Sequence, residues 1–414
     1  ARARPAPPLP PEHPVRIALF LQHYHTPDCP TAARPYALVE RLGRDHNVTV
    51  ITTRAWEEKR QAHRFPWAPP GVELVRFNVP YNNSMSAPKR LASFVQYAAR
   101  AVRYGLQMPR PDLIVGSSTP LTAAAAAGAV ARLRGIPWVF EVRDLWPAFP
   151  IQMGAVPDYG LHTLLRWAEA ALYRSAARVV ALSPDMDQHV RARAPSAAVS
   201  TIEYGTDVDL IDDMGVEART ELEERFALDR RFLVLYAGSF GRANAIPTLV
   251  AAARRLLARR SDVLVAFAGD GYHASTVQRA ARQHDAIRRL PPLPHPKTLA
   301  LFIRADLSLV SFLDRPVLAA NAPGKFFDSL GTSTPVVVTN PGWTKRFVEA
   351  HGCGWFVPPE SPGRLASALD ILLASPMALA AAGRAAHTVA RRRFDRSRMM
   401  DRYAALLERV AATS

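Results

Sequence analysis

Cysteine is nearly missing from these 414 residues. Cys29 and Cys353 stand so far apart that neither a disulfide framework nor a thiolate zinc site is suggested. Such usage fits a reducing cytosol. Long apolar runs are missing too. None reaches the roughly 18–20 residues that a bilayer-spanning helix needs, and the best candidate, Leu121–Val130, is short and alanine-rich. The proline-rich start, Ala1 to His13, has no apolar h-region and reads as a disordered leader rather than a signal peptide. No Asp-x-Asp pair stands where it would hold a divalent metal; Asp185-Met-Asp187 opens a helix and reads as its cap. Helix-turn-helix, zinc-finger and aromatic RNA-binding patterns are absent, which argues against nucleic acid as a partner.

What the chain has in excess is positive charge: 52 Lys and Arg against 36 Asp and Glu, a formal +16. Such a charge draws phosphorylated substrates or anionic lipid, unless it is only arginine spread over solvated helix faces. With 49% hydrophobic and 21% charged residues, the composition is that of a folded chain with sizeable cores. Strand-like and helix-like runs alternate, which predicts α/β architecture with parallel sheets covered on both faces. The rhythm runs once from Val15–Phe20 to Arg178–Leu182 and restarts at Phe232–Ala237, after a polar stretch from Asp207 to Glu224. The expected division is a leader over 1–13, a first doubly wound domain over 14–207 and a second over 208–395. An amphipathic segment over 396–414 would cross back onto the first domain. Ligands in such sheets bind beyond the carboxyl ends of strands, so the expected site is the cleft between the two domains.

Three clusters carry chemistry. Tyr236-Ala-Gly238-Ser239-Phe-Gly241-Arg242-Ala-Asn244 follows a strand and precedes a helix. Glycine there lets backbone approach a ligand, the helix start offers N–H groups to a phosphate, and Arg242 can add a forked contact. The third glycine of the dinucleotide fingerprint is missing, and a plain structural turn is the competing reading. Gly269-Asp270-Gly271 also lies at a strand end, where the simpler reading is a turn with Asp270 as a helix cap. Pro323-Gly324-Lys325-Phe-Phe-Asp328 opens a helix. A lysine in a first turn opposes the helix dipole unless an anion is present, and Asp328 can accept bonds from two ribose hydroxyls.

These turns, with Pro335-Val-Val-Val behind them, resemble in order and spacing the retaining GT-B glycosyltransferases of the GT4 family. Glu141-Val-Arg143-Asp144-Leu-Trp146-Pro147, Leu182-Ser183 and Tyr204-Gly-Thr206-Asp207 look most like its WbuB-like bacterial subgroup. The resemblance runs from about Val15 to Tyr403. It implies a GT-B fold, two Rossmann-like doubly wound domains facing a central cleft, with the donor held by the second. It also implies a transferase that moves a sugar from a nucleotide donor, with UDP the leading choice, to a hydroxyl or lipid-linked sugar acceptor. Neither metal nor cofactor is expected, and surface-polysaccharide assembly at the cytoplasmic side is the implied setting. Asp328 matches the second carboxylate of the family's Glu-x7-Glu motif, whereas the first falls on Ala320. Ser239 stands near the family's phosphate-binding arginine and Asn244 near its lysine, so Arg242 and Lys325 are the expected substitutes. The segment at Pro292 and Leu293 resembles the part that reads the base, and Thr31-Ala32 a small-residue turn near the phosphates.

On the acceptor side, Asp144 is expected to act in catalysis or in positioning the acceptor; a surface pair with Arg143 is the alternative. His23 and His25 lie in the implied acceptor loop, where single histidines are usually just solvated. Leu91, Phe94, Val95, Ala98 and Val102 are read as one helical face edged by Lys89, Arg90, Arg100 and Arg103, suited either to anionic lipid or to covering the domain. Three rival readings remain open: a GT-B-type UDP-sugar epimerase, a non-catalytic nucleotide-sugar-binding protein, because of Ala320, and, as the weakest, a nucleic-acid binder driven by charge.

Overall fold

Short β-branched and apolar runs such as Trp138–Val142 and Val263–Ala268 are buried along their whole length, as strands covered on both faces must be. The computed structural model describes residues 13–30, 34–57, 61–82, 85–156, 161–214 and 216–413. Thr31-Ala32 and nearly all of the expected leader lie outside them.

The first sheet has seven strands: β1 (Arg16–Phe20), β2 (Asn47–Thr53), β3 (Val72–Phe77), β4 (Leu113–Ser117), β5 (Trp138–Val142), β6 (Arg178–Ala181) and β7 (Val199–Thr201). They lie in the order 3-2-1-4-5-6-7 and every pair is parallel. The second sheet has six: β8 (Phe232–Ala237), β9 (Val263–Ala268), β10 (Ile287–Leu290), β11 (Leu307–Val310), β12 (Val336–Val338) and β13 (Gly354–Phe356). Its order is 10-9-8-11-12-13, again all parallel. Each sheet reverses its winding next to its first strand, and the loops leaving β1 and β8 start there.

The first sheet carries α1 (Arg34–Leu42), α2 (Ala87–Gln107), α3 (Leu121–Arg134), α4 (Ala148–Gln152), α5 (Leu161–Ser175) and α6 (Pro184–Arg193). Residues of α2, α3 and α5 share one core with one sheet face, while α1 and the closing helix Arg396–Ala412 share another with the opposite face. That closing helix starts on an Asp395 cap and is tied to the first domain by Arg41–Asp401 at 2.5 Å and His46–Glu408 at 3.1 Å. Arg34 is buried beneath it. Its guanidinium bonds Glu141 Oε1 at 3.1 Å and donates to the carbonyls of Ile202 and Glu203, fixing α1 to β5 and to the segment that leaves the first domain.

Two segments cross between the domains and pair with each other. Thr206 N donates to Phe394 O at 2.8 Å, and Arg396 N donates to Thr206 O at 2.9 Å. Of the two readings of α2, the structure bears out the helix that covers the domain. Phe94 is buried and Ala98 and Val102 pack against the core, so only Leu91 and Val95 of that set face outward. The helix is turned so that its aromatic side chain, the largest of the five, fills the core.

Candidate active site

The loop after β8 rests on the loop after β9. Gly238 N donates to Ala268 O at 2.9 Å, Phe240 N to Asp270 O at 2.8 Å and His273 N to Phe240 O at 2.9 Å. Gly238, Gly269 and Gly271 have φ of +138°, +144° and +145°, values that only glycine adopts readily. A Cβ on Gly269 would lie 2.0 Å from the Gly238 carbonyl oxygen, so close stacking of the two turns depends on the missing side chain. Phe240 is buried beneath them, which leaves Gly238 and Ser239 exposed.

Lys325 stands at this turn. A Cβ on Gly238 would meet its Nζ at 2.9 Å, and the same Nζ lies 3.9 Å from the centroid of the Tyr236 ring. Lys325 is the second residue of the helix Gly324–Gly331, whose N-cap Pro323 supplies no capping side chain. Among the described residues no carboxylate pairs with the ammonium, and burial pushes its pKa down to about 7. Gly238, Pro323, Gly324 and Lys325 thus come together as predicted, forming an uncompensated cation beside uncapped amides. Such a corner favours an anion with oxygens on both sides of the helix start.

Arg242 has other surroundings. It is exposed, on the single turn Arg242–Asn244, with its guanidinium carbon 4.0 Å from the centroid of the exposed Tyr272 ring. Asn244 holds the turn itself: its Nδ2 donates to Ser239 O at 2.9 Å, and the Tyr236 hydroxyl donates to the same oxygen at 2.7 Å. Gly241 leaves room for that amide, since a Cβ there would come within 3.2 Å of Asn244 and of Ser239 Oγ. Beyond β10, Pro292 O accepts from Gln61 Nε2 at 2.9 Å, and His295 N donates to Pro27 O at 3.1 Å. The buried Leu293 passes its carbonyl to Thr298 Oγ1 at 3.2 Å. This segment therefore meets the loop after β1 across the cleft, but both of its carbonyls already have partners within the chain.

The facing wall is built at the end of β5. Asp144 is half-buried. Ser118 Oγ accepts from Arg143 N at 3.0 Å and donates to Asp144 O at 3.0 Å, and Thr119 Oγ1 donates to the Asp144 carboxylate at 3.3 Å. Burial raises the Asp144 pKa, and the Arg143 charge and the Thr119 bond oppose that rise. The charge of Asp144 reaches Tyr81, whose hydroxyl pKa is raised first by burial and also by this carboxylate. Tyr81 packs against His23 at 4.4 Å and Phe94 at 5.8 Å between centroids, and Phe94 meets Trp146 at 6.0 Å. His23 and His25 are not solvated. Both are buried, His23 taking a 3.3 Å bond from Trp56 Nε1 and His25 packing on the same indole. Tyr81 and Trp56 carry no motif around them that would select either from the sequence alone.

Residues 31–205 match the family model described as a glycosyl transferase 4-like domain, and residues 231–375 match that of glycosyl transferases group 1. The chain belongs to the GT-B glycosyltransferases. The probable glycosyltransferase WbjE of Pseudomonas aeruginosa is 24% identical over 316 residues, 74% of this chain and 77% of that protein. The fold is shared with sucrose-phosphate synthase of Thermosynechococcus elongatus, at TM-score 0.68 and 19% identity, covering 97% of this chain and 100% of the other. It is shared equally with HepE of Anabaena in complex with UDP-glucose, at TM-score 0.69 and 17% identity, over 95% and 100%.

In this glycosyltransferase Asp328 departs from the picture of an open ribose acceptor. Only 5% of the residue is exposed. Oδ1 accepts from Thr206 Oγ1 at 3.3 Å, Oδ2 lies 3.2 Å from His295 Nε2, and Arg396 Nη2 is 3.8 Å from Oδ1. The carboxylate binds the crossing segment, the second domain and the start of the closing helix to one another. Ala320 is also buried and gives its carbonyl to Ser183 Oγ at 2.6 Å, a bond between the two domains.

Proposed function

We propose that this glycosyltransferase moves a hexosyl or N-acetylhexosaminyl group from a UDP-sugar to a hydroxyl acceptor with retention of configuration, in the assembly of a cell-surface polysaccharide. The observation that carries the reading is Lys325, an ammonium with no carboxylate partner among the described residues, at the Gly238 turn and the uncapped helix start. A leaving nucleoside diphosphate supplies the charge that this corner lacks. As the bond between the anomeric carbon and phosphate oxygen breaks, negative charge grows on the diphosphate, and preorganised donors stabilise it. The acceptor hydroxyl forms the new bond to the same carbon on the side the diphosphate leaves. Asp144, held by Thr119, accepts the hydrogen bond of that hydroxyl, steers it and takes up its proton as the new bond forms. The HepE complex with UDP-glucose supports the choice of donor, and the name of the Pseudomonas relative supports transfer of a glycosyl group.

A thermal-shift panel of UDP-, GDP-, TDP- and ADP-sugars tests the donor: the UDP-sugars raise Tm most, because a ligand that binds only the native state stabilises it. Lys325→Met lowers kcat/KM on the order of 10²- to 10³-fold, the scale of losing one preorganised donor to a developing anion, with an unchanged circular-dichroism spectrum. A wild-type rate in that variant refutes the phosphate assignment. Formation of an isomer from donor alone would replace transfer with epimerisation, and a donor that binds and is never consumed would leave only a binding protein.

A further inference from the structure

The wall around Asp144 carries a cation that no carboxylate answers among the described residues. Arg90 lies in the first turn of α2, half-buried, and its guanidinium hydrogen-bonds the Tyr81 hydroxyl. Four residues on, Phe94 packs on the Tyr81 ring and on Trp146. Residues spaced by four share one side of a helix, so Arg90 and Phe94 both belong to the side of α2 that meets Tyr81. The Asp144 carboxylate is close enough to act on the same hydroxyl. Its own charge is answered by Arg143 and by the Thr119 bond, which leaves Arg90 without an anion.

The helix starts beside it are positive as well. The N-cap of α2, Ser86, makes no side-chain capping bond, and the first turn holds Lys89 and Arg90 but no acid. α3 starts at Pro120, next to the Thr119 that holds Asp144, again with no capping side chain and no acid in its first turn. Helix starts favour acidic groups and disfavour cations, so the charge here lacks its counterpart. A ligand carrying an anion supplies it. The size of that charge is limited, because one guanidinium balances one unit and Asp144 repels a dianion. The donors also match a planar group. A guanidinium only donates, so the Tyr81 oxygen accepts from Arg90 and its own proton stays free to donate. An N–H and an O–H side by side suit the two oxygens of a carboxylate.

We propose that the acceptor of this glycosyltransferase is an acidic sugar, a hexuronate, whose carboxylate is held by Arg90 and Tyr81 while one of its ring hydroxyls meets Asp144. The proposal rests on the reading above, in which Asp144 receives the acceptor hydroxyl. Tyr81 links the two contacts, since its hydroxyl bonds Arg90 and lies in the field of Asp144. Carboxylate and reacting hydroxyl therefore belong to a single sugar ring. Arg90 sets which acceptor is bound and leaves the donor to the Lys325 corner of the other lobe.

The test is the calorimetric affinity of the full chain, with and without UDP, for p-nitrophenyl glucuronide and galacturonide, each against its neutral hexoside. p-Nitrophenyl glucoside 6-phosphate is a further arm. The wild type binds both uronides about tenfold or more tighter than the hexosides, the scale of a hydrogen bond to a charged group. Arg90→Met brings the uronides down to the hexosides, and its Tm rise with UDP stays at the wild-type value. Arg90→Lys, which keeps the charge and loses the fork, retains part of the preference. Uronide affinity no higher than hexoside affinity in the wild type overturns the proposal, as does a preference that survives Arg90→Met. Tighter binding of the 6-phosphate than of the uronide overturns it too, in favour of a phosphorylated acceptor. If the preference fails while UDP raises Tm and a UDP-sugar is consumed, the transferase reading survives. If UDP has no effect while the preference holds and vanishes in Arg90→Met, only the acidic-sugar site does.

Discussion

The Lys325 ammonium sets the proton balance of the donor corner. Its native pKa is about 7 against an ordinary 10.5, because burial penalises the charge and no anion answers it. Between those two values the unfolded chain holds a proton that the native chain lacks, so this group makes stability rise with pH across that window. Lys325→Met should flatten that part of the curve in urea titrations at pH 7 and pH 9. A diphosphate reverses the shift by favouring the charged form. At pH 8, UDP binding should therefore take up close to one proton, read by calorimetry in two buffers of different ionisation enthalpy, and the uptake should vanish in Lys325→Met. Uptake that persists in the variant would move the titrating group elsewhere. Lys325 was legible in the sequence because a lysine in a first helical turn needs an anion. The burial of His23 was not, because a loop histidine carries no sign of the tyrosine and tryptophan that fold onto it.

Among elements, the glycine turns show how much of the donor wall depends on backbone contact. Gly135 and Gly269 both have positive φ, +59° and +144°. A Cβ on Gly135 meets nothing within 4 Å, whereas on Gly269 it would strike the Gly238 carbonyl. Gly135→Ala should cost about 1 kcal/mol, the conformational penalty alone. Gly269→Ala adds a steric term and should cost about 2–4 kcal/mol, with a matching loss of UDP affinity as the Gly238 turn moves off Lys325. Equal costs in urea unfolding would mean that the two turns are not locked together. Buried parallel strands such as β8 and β9 were readable as unbroken apolar runs. The edge strand β10 was not, since Ile287-Arg-Arg-Leu290 buries only its two ends and exposes an arginine between them. The face of α2 was left open for a related reason: an apolar stripe beside basic residues does not say which side meets the core.

At the scale of the whole molecule, the two lobes are held by a small polar junction rather than by a broad core alone. Thr206 and Phe394 pair the two crossing segments, and Asp328 gathers Thr206, His295 and Arg396 where they meet. The sequence placed Asp328 by its motif but could not show that short side chain turned inward, because its partners come from positions 122 and 33 residues before it and from the start of the closing helix. Removing one member of a buried ionic group leaves the others unanswered, at a typical cost of about 3–5 kcal/mol. Arg396, only 6% exposed, has one further carboxylate within reach, Asp207 at 3.7 Å, so part of its charge would stay compensated. Asp328→Asn keeps the volume and should fall at or below the low end of that range, with UDP affinity within about threefold of wild type, a difference under 1 kcal/mol. A ribose anchor would behave in the opposite way, with Tm unchanged and UDP affinity lower by tenfold or more. Measuring urea stability and UDP affinity on the one variant separates a carboxylate that joins the lobes from one that holds the nucleotide.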